Sequence, residues 1–408
     1  MAAPKGGYTP SLEKFLDTLK SRPVEASVEL LISLLKRRQI KGSEACATAT
    51  AHILLQVVAR DKWTNVDQLL GRIQLVGRKL VTAQPHELVI GNVVRRVLGL
   101  IRDEASESRN DATVDSPGTA SPSVPALSHA SPPPKPVRPA ALPALGSFAR
   151  TQSMFNLLSD PNVFPSVGSN ASTPGQVSGA STPSMNPQAT NVSALRSEVI
   201  DGIQEIMDEI KMVDEQVQSY ADREPLQRGK FTVLLVVDPP SAMGLDAPYA
   251  SLVKLLGSNG SSVVTVLNAG LMAYMSRVDK VILGAHAITA QGGVVVDSGA
   301  AAIARAARER RRTVIVLGGV YKLSPENKLL SESQVEWGDP SKYANFADGS
   351  VVSHVKVQNA ASEFLAADQI DTYITNLGAH AQDNLHTIIA DHYKEEDINF
   401  DLYGRAHR

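Results

Sequence analysis

The chain has 408 residues, 43% of them hydrophobic, and a formal net charge of −2. That length and apolar content support a sizeable core spread over roughly one to three domains, and the near balance of charge excludes general affinity for polyanions, so no direct nucleic-acid partner is expected. The single cysteine, Cys46, excludes an internal disulfide framework and an all-cysteine metal cluster.

The opening MAAPKGGYTPSLEKF has no apolar core of signal-peptide length. No run approaches the ~18 apolar residues of a membrane span. A soluble, reduced, cytosolic protein is expected.

Residues 9 to about 104 read as all-helical. Ser11 can cap a helix to Lys20 that carries Leu12, Phe15, Leu16 and Leu19 at helical spacing. Val24 to Arg38 follows with an apolar stripe through Val28, Leu31 and Leu35. Ser43 opens a third helix through Val58, where Cys46 reads as a small buried side chain rather than a nucleophile. Thr64 or Asn65 opens a fourth. Pro85 interrupts the pattern, and a fifth helix runs from about Glu87 to Glu104. Lys36, Arg37 and Arg38 read as a solvated helix end.

From about Ala105 to Asn191 the composition shifts. Fourteen of the 24 prolines lie here, among many Ser, Ala and Thr. Such a stretch offers little to bury and is expected to be a disordered linker. MFNLL, Met154 to Leu158, is an apolar island within it, read as a chance cluster rather than a docking motif. Val192 to Tyr220 returns to a long, one-faced helix that needs a partner surface.

From Phe231 onward strands alternate with helices. FTVLLVV (231–237), SVVTVL (262–267), VDKVIL (278–283), TVIVLGG (313–319) and DTYIT (371–375) read as strands, with helices at 249–256, 271–276, 299–312 and 381–393. Strands apolar on both faces imply a parallel sheet covered by helices. The fold class expected is α+α/β, an N-terminal helical domain followed by a parallel α/β domain, which the family resemblance given below implies is Rossmann-like.

Searches for chemistry return little. The turn after the first strand is DPPSAMG, not GxGxxG, and neither GxxxxGK[ST] nor GxSxG nor HExxH occurs. No cofactor, metal site or catalytic residue is expected. His286 stands at a strand end, as a surface or interface histidine in preference to a ligand-facing one. Asp279 and Asp297 read as a turn and a cap residue rather than an acid pair. Gly284, Gly292, Gly293, Gly318, Gly319 and Gly378 neighbour strand ends, where they serve tight turns or let another backbone or a phosphate approach. Arg305, Arg308, Arg310, Arg311 and Arg312 crowd one helix end, read first as solvated charge at the helix C-terminus and second as a surface for an acidic partner.

Several segments resemble the regulatory subunits of the eukaryotic translation initiation factor 2B family, and within it the beta type. They are PSLEKFLDTLKSRP, KWTNVDQLLGRIQLVGRKLVTAQPHELVIGNVVRRVLGLIRDE (62–104), LMAYMSRVDKVILGAHAITAQGG (271–293), GGVYKLSP (318–325) and YITNLGAHA (373–381). SRVDKVILGA and ITNLG are shared more widely, with the alpha and delta types and with sugar-phosphate isomerases. The resemblance implies a non-catalytic scaffold that helps GDP–GTP exchange on initiation factor 2 and senses phosphorylation of that factor's alpha subunit. The partners it implies are delta-like, alpha-like and catalytic gamma- and epsilon-like subunits. By the same resemblance the strand-end loops with Gly284, Ala285 and His286, with Tyr321, Lys322 and Leu323, and with Asn376, Leu377 and Gly378 lie near the delta-like partner.

The alternative is an aldose–ketose isomerase acting on a sugar phosphate such as methylthioribose 1-phosphate. Those relatives need a reactive cysteine and an aspartate directly after the GA of VxxGAD. Here His286 holds the aspartate's place and no cysteine follows Cys46, so proton shuttling has no agent.

The domains expected are 1–104, helical; 105–191, linker; 192–220, connecting helix; and 221–408, the α/β assembly domain. The resemblance also implies a strand, loop and helix before FTVLLVV, yet only Ala221 to Lys230 is available. Either a segment has been lost, the favoured alternative, or the sheet lacks its first, inner strand.

Overall fold

Apolar side chains recurring at three and four residues make the first half of the molecule helical. The computed structural model describes residues 12–114, 187–221, 231–237, 250–258, 260–326, 336–344, 347, 349–350 and 354–398. Ser11, most of the proline-rich stretch with MFNLL, the residues linking Ala221 to Phe231, and the DPPSAMG turn lie outside them. The described residues all belong to one unit.

Helices α1 (Leu12–Leu19), α2 (Val24–Lys36), α3 (Ser43–Arg60), α4 (Val66–Ala83), α5 (Leu88–Val114) and α6 (Pro187–Ala221) form the helical layer. Asn65, not Thr64, caps α4: its side-chain oxygen accepts from Gln68 N at 2.8 Å. Phe15, Leu31, Leu35, Ile53, Leu54 and Ile73 are fully or almost fully buried between these helices.

Two helix ends differ from expectation. Helix α5 continues past Glu104 to Val114, and α6 starts at Pro187, so both ends of the expected linker are helical. Ala105 is still buried and no proline intervenes before Pro117, so nothing stops α5 at Glu104. Pro187 occupies the first helical position, where its missing N–H has no helical partner to lose.

Among the described residues the α/β half contains three sheets. Strands β1 (Thr232–Val237) and β2 (Ser262–Leu267) pair in parallel, with α7 (Ala250–Ser258) between them in sequence. After the short helix α8 (Leu271–Met275) come β3 (Lys280–Gly284), β4 (Ala287–Thr289) and β5 (Val294–Asp297). Then follow α9 (Ala300–Glu309), β6 (Thr313–Leu317), β7 (Leu323–Ser324) and β8 (Ser362–Leu365). Strands β9 (Thr372–Thr375) and β10 (Gly378–His380) and helices α10 (Gln382–His392) and α11 (Glu395–Ile398) end the described chain.

The central sheet runs β10-β9-β6-β3, with β3, β6 and β9 parallel and β10 antiparallel. A mixed sheet, β7-β4-β5-β8, was not anticipated. Its strands are only two to four residues long, too short for a period-two pattern to register.

The stretch on which the missing-strand alternatives turn, 222–230, lies outside the described residues. Strand β1 pairs only with β2, and β3 only with β6, so the parallel sheet is divided into two pieces among the described residues. The division leaves apolar side chains uncovered: Leu267 is 49% exposed and Ile282 51%.

Two cores flank the central sheet. The larger joins the six helices to one sheet face through Ile315, Ile374 and Tyr321, with Val213 and Val217 of α6 on the helical side. The second lies on the opposite face, under α8, α9 and α10, around Val281, Leu283, Val314, Val316 and Tyr373.

Candidate functional site

Parallel strands deliver their following loops to one edge, the carboxyl ends, and here that edge abuts the helical layer. Three loops meet there. Gly284–His286 follows β3, Gly318–Lys322 follows β6, and Asn376–Leu377 joins β9 to β10.

Hydrogen bonds hold them in register. Ala285 N donates to Leu317 O at 2.9 Å, Gly318 N to Ile374 O at 3.0 Å and Val320 N to Asn376 Oδ1 at 2.8 Å. Gly378 has φ +128°, a conformation that closes the β9–β10 turn and that L side chains rarely adopt. At Gly319 a Cβ would meet Val213 of α6 at 2.8 Å, so glycine allows the helix to approach.

A cavity of about 410 Å³ lies between this edge and the start of α3. Gly42 (φ +89°) and Ser43 border it on the helical side, and Ala285, His286, Asp297 and Lys322 on the α/β side. Ser43 Oγ donates to His286 O at 3.0 Å and Lys322 Nζ to Ala285 O at 2.9 Å.

His286 Nε2 lies 2.9 Å from Asp297 Oδ1. That hydrogen bond raises the imidazole pKa above its ordinary value against the opposing effect of burial. Burial lowers the Lys322 ammonium and raises the Glu87 carboxyl, the latter opposed by His286. The strand-end histidine and the aspartate expected to be a cap are thus one ion pair.

Of the residues expected at the partner interface, Gly284 and Leu377 are exposed, and His286 and Lys322 half-buried. Ala285, Tyr321, Leu323, Asn376 and Gly378 are buried. Tyr321 belongs to the helical core, and Asn92 Nδ2 donates to its carbonyl at 3.2 Å. Leu323 is 0% exposed and packs in the second core. The side chains of Tyr321 and Leu323 therefore act by shaping the loop from within.

Sequence reading missed the helical side of the site. Ser43 and Glu87 come from segments far from the strand-end motifs, and no local spacing announces the encounter. The same holds for the ion pairs that lock the two halves: Arg95 with Glu326 at 2.8 Å, Arg102 with Asp397 at 3.1 Å, Lys394 with Asp103 at 2.8 Å, and Arg38 with Glu336.

Cys46 is fully buried within α3, and burial pushes its thiol pKa far up, so it is a poor nucleophile. No cluster of His, Cys, Asp or Glu among the described residues could hold a metal ion. No described helix is long and apolar enough to cross a membrane.

Comparison with known proteins gives the family. Residues 39–234 and 248–382 match the initiation factor 2 subunit family. Translation initiation factor eIF2B subunit beta of Schizosaccharomyces pombe is 31% identical over 94% of this chain and 99% of its own length. The crystal structure of eIF2B beta from Chaetomium thermophilum superposes with a TM-score of 0.65 at 37% identity, covering 96% of this chain and 99% of that one. A chain of the tetrameric eIF2B-beta2-delta2 complex from C. thermophilum gives 0.61 at 33% identity, covering 94% and 100%.

Proposed function

The chain belongs to the initiation factor 2 subunit family, and from that premise we propose that it is a beta-type regulatory subunit of the initiation factor 2B complex. The observation that carries this is similarity along the whole length: the S. pombe beta subunit is matched over 99% of its length, across both halves of the fold. The protein is a regulatory subunit rather than an enzyme.

Its immediate partner is a delta-type subunit, the kind that the C. thermophilum beta chain assembles with as two copies of each. We assign the contact to the exposed and half-buried members of the strand-end loops, Gly284 and Leu377 with His286 and Lys322. Alpha-type and catalytic gamma- and epsilon-type subunits complete the complex in the cytosol. Through them this chain helps GDP–GTP exchange on initiation factor 2 and senses phosphorylation of that factor's alpha subunit. Buried loop residues and the locked ion pairs support a rigid docking edge, which needs no induced change to be recognised.

Co-expression with a delta-type subunit, followed by light scattering, tests this. A stable hetero-oligomer is expected, and Leu377→Asp should weaken it. A monomer that ignores the delta-type chain would overturn the proposal, as would turnover of a phosphorylated pentose by the purified protein.

A further inference from the structure

At the opposite edge of the central sheet, where β3 and β6 begin, the chain gathers positive charge. Arg305 and Arg308 project from the exposed face of α9, whose buried face is alanine: Ala300, Ala301, Ala304 and Ala307. Arg310 and Arg311 are exposed just beyond its end. Arg277 and Lys280 come from the neighbouring turn into β3. With Arg312 there are seven cations against four carboxylates, Asp279, Glu309, Asp368 and Asp371, in a chain whose overall charge is −2.

Helix α9 closes with a Schellman motif: Arg312 N donates to Ala307 O at 2.8 Å and Arg311 N to Arg308 O at 3.0 Å. The motif puts Arg311 at φ +52°, a position that favours glycine. Helix α2 ends in the same way. Gln39 N donates to Leu34 O and Arg38 N to Leu35 O, each at 2.9 Å, with Arg38 at φ +53°.

In that first case the arginine has a use, because its guanidinium pairs with Glu336. At Arg311 the backbone is equally ill suited to a side chain, yet neither it, Arg305 nor Arg310 finds a carboxylate among the described residues. Arg312 is held to Ser276 O at 2.9 Å, and Arg308 reaches Asp368 at 3.5 Å.

We propose that this edge is a second docking surface, centred on Arg311 with Arg305 and Arg310, for an acidic segment of another protein. All five cations between residues 305 and 312 are arginine, whose planar fork matches a carboxylate in two-point contact. The chain as a whole carries a net charge of −2, which opposes a long polyanion at distance, whereas a short acidic segment meets only the local arginines, so a protein segment fits better than a nucleic acid. The surface is separate from the strand-end loops assigned to the delta-type partner and does not depend on that assignment.

Fluorescence anisotropy of a labelled ten-glutamate peptide with the full chain tests this, at 50 and 200 mM salt. Wild-type binding should weaken as salt rises. Arg305→Glu/Arg310→Glu/Arg311→Glu should weaken it by about tenfold or more. Arg311→Gly suits the backbone at φ +52°, so it preserves the fold and should still cost several-fold in affinity. Lys36→Glu/Arg37→Glu, at the end of α2, should change nothing. The proposal fails if wild type does not bind, if Arg311→Gly binds as well as wild type, or if the α2 variant loses as much. It fails too if a ten-nucleotide single-stranded RNA binds more tightly than the peptide.

Discussion

The helical layer and the leading strands of the α/β half bury their apolar residues to very different degrees. Leu31, Ile53, Leu54, Ile73 and Leu80 are 0% exposed, whereas Val264 is 37%, Leu267 49% and Ile282 51% exposed. Both regions are rich in β-branched and aliphatic side chains. The difference lies in where each element finds its backbone partners. A helix satisfies its own amides, so each helix is complete once one face is covered. A strand depends on neighbours along both edges, and among the described residues β1 and β3 each have only one. A helix is therefore less dependent on its neighbours than a strand of this sheet.

The largest test of that contrast pairs two truncations. Leu54→Ala should destabilise by about 2–5 kcal/mol, as a fully buried leucine does. Ile282→Ala should fall within roughly 0.5 kcal/mol of wild type. Denaturant unfolding of both variants decides it, and an Ile282 effect as large as that of Leu54 would show that β3 is covered in solution.

Where the α/β half is whole, it should be as intolerant as the helices. A Cβ at Gly293 would clash with the Phe364 ring, so Gly293→Ala should cost about 1–3 kcal/mol. Thermal unfolding measures this, and a neutral result would mean that the mixed sheet is loosely packed.

Smaller again is the α4 cap. Asn65→Ala removes the acceptor of Gln68 N and should cost about 1 kcal/mol.

The smallest effect concerns His286. Its folded pKa is raised by Asp297 above the ordinary 6.5. The ion pair therefore contributes fully below about 6.5 and is lost as pH rises through the folded value. Asp297→Asn should flatten that part of the stability–pH profile, and an NMR titration of the ring in both variants reads it directly. A ring that titrates no higher than in the unfolded chain would remove the pair as a stabilising contact.

Legibility followed the same divide. Helices α2 and α3 came from apolar spacing to within two residues at each end, and α4 to within two at its start, since a face repeated over several turns is hard to mistake. The parallel strands β2, β6 and β9 were also legible as short apolar runs. Strands β4, β5, β7 and β8 were not, because each is too short to alternate and is defined by a distant partner. The site was half legible. His286 and Lys322 stand out as polar residues at strand ends, while Ser43, Glu87 and the pairing of Asp297 depend on tertiary folding. Glycines read as turn residues included Gly319 and Gly293, whose missing side chains in fact admit Val213 and Phe364.

Helices α5 and α6 carry one more consequence. They pack in a common core, yet residues 115–186 lie between them in sequence. A single cut anywhere in that interval would yield two pieces whose apolar faces still cover each other, and whose salt links, such as Arg96 with Glu209, span the cut. The nicked protein should elute as one species in native buffer and part into two only in denaturant. Its halves, made separately, are candidates for reassembly as a split reporter.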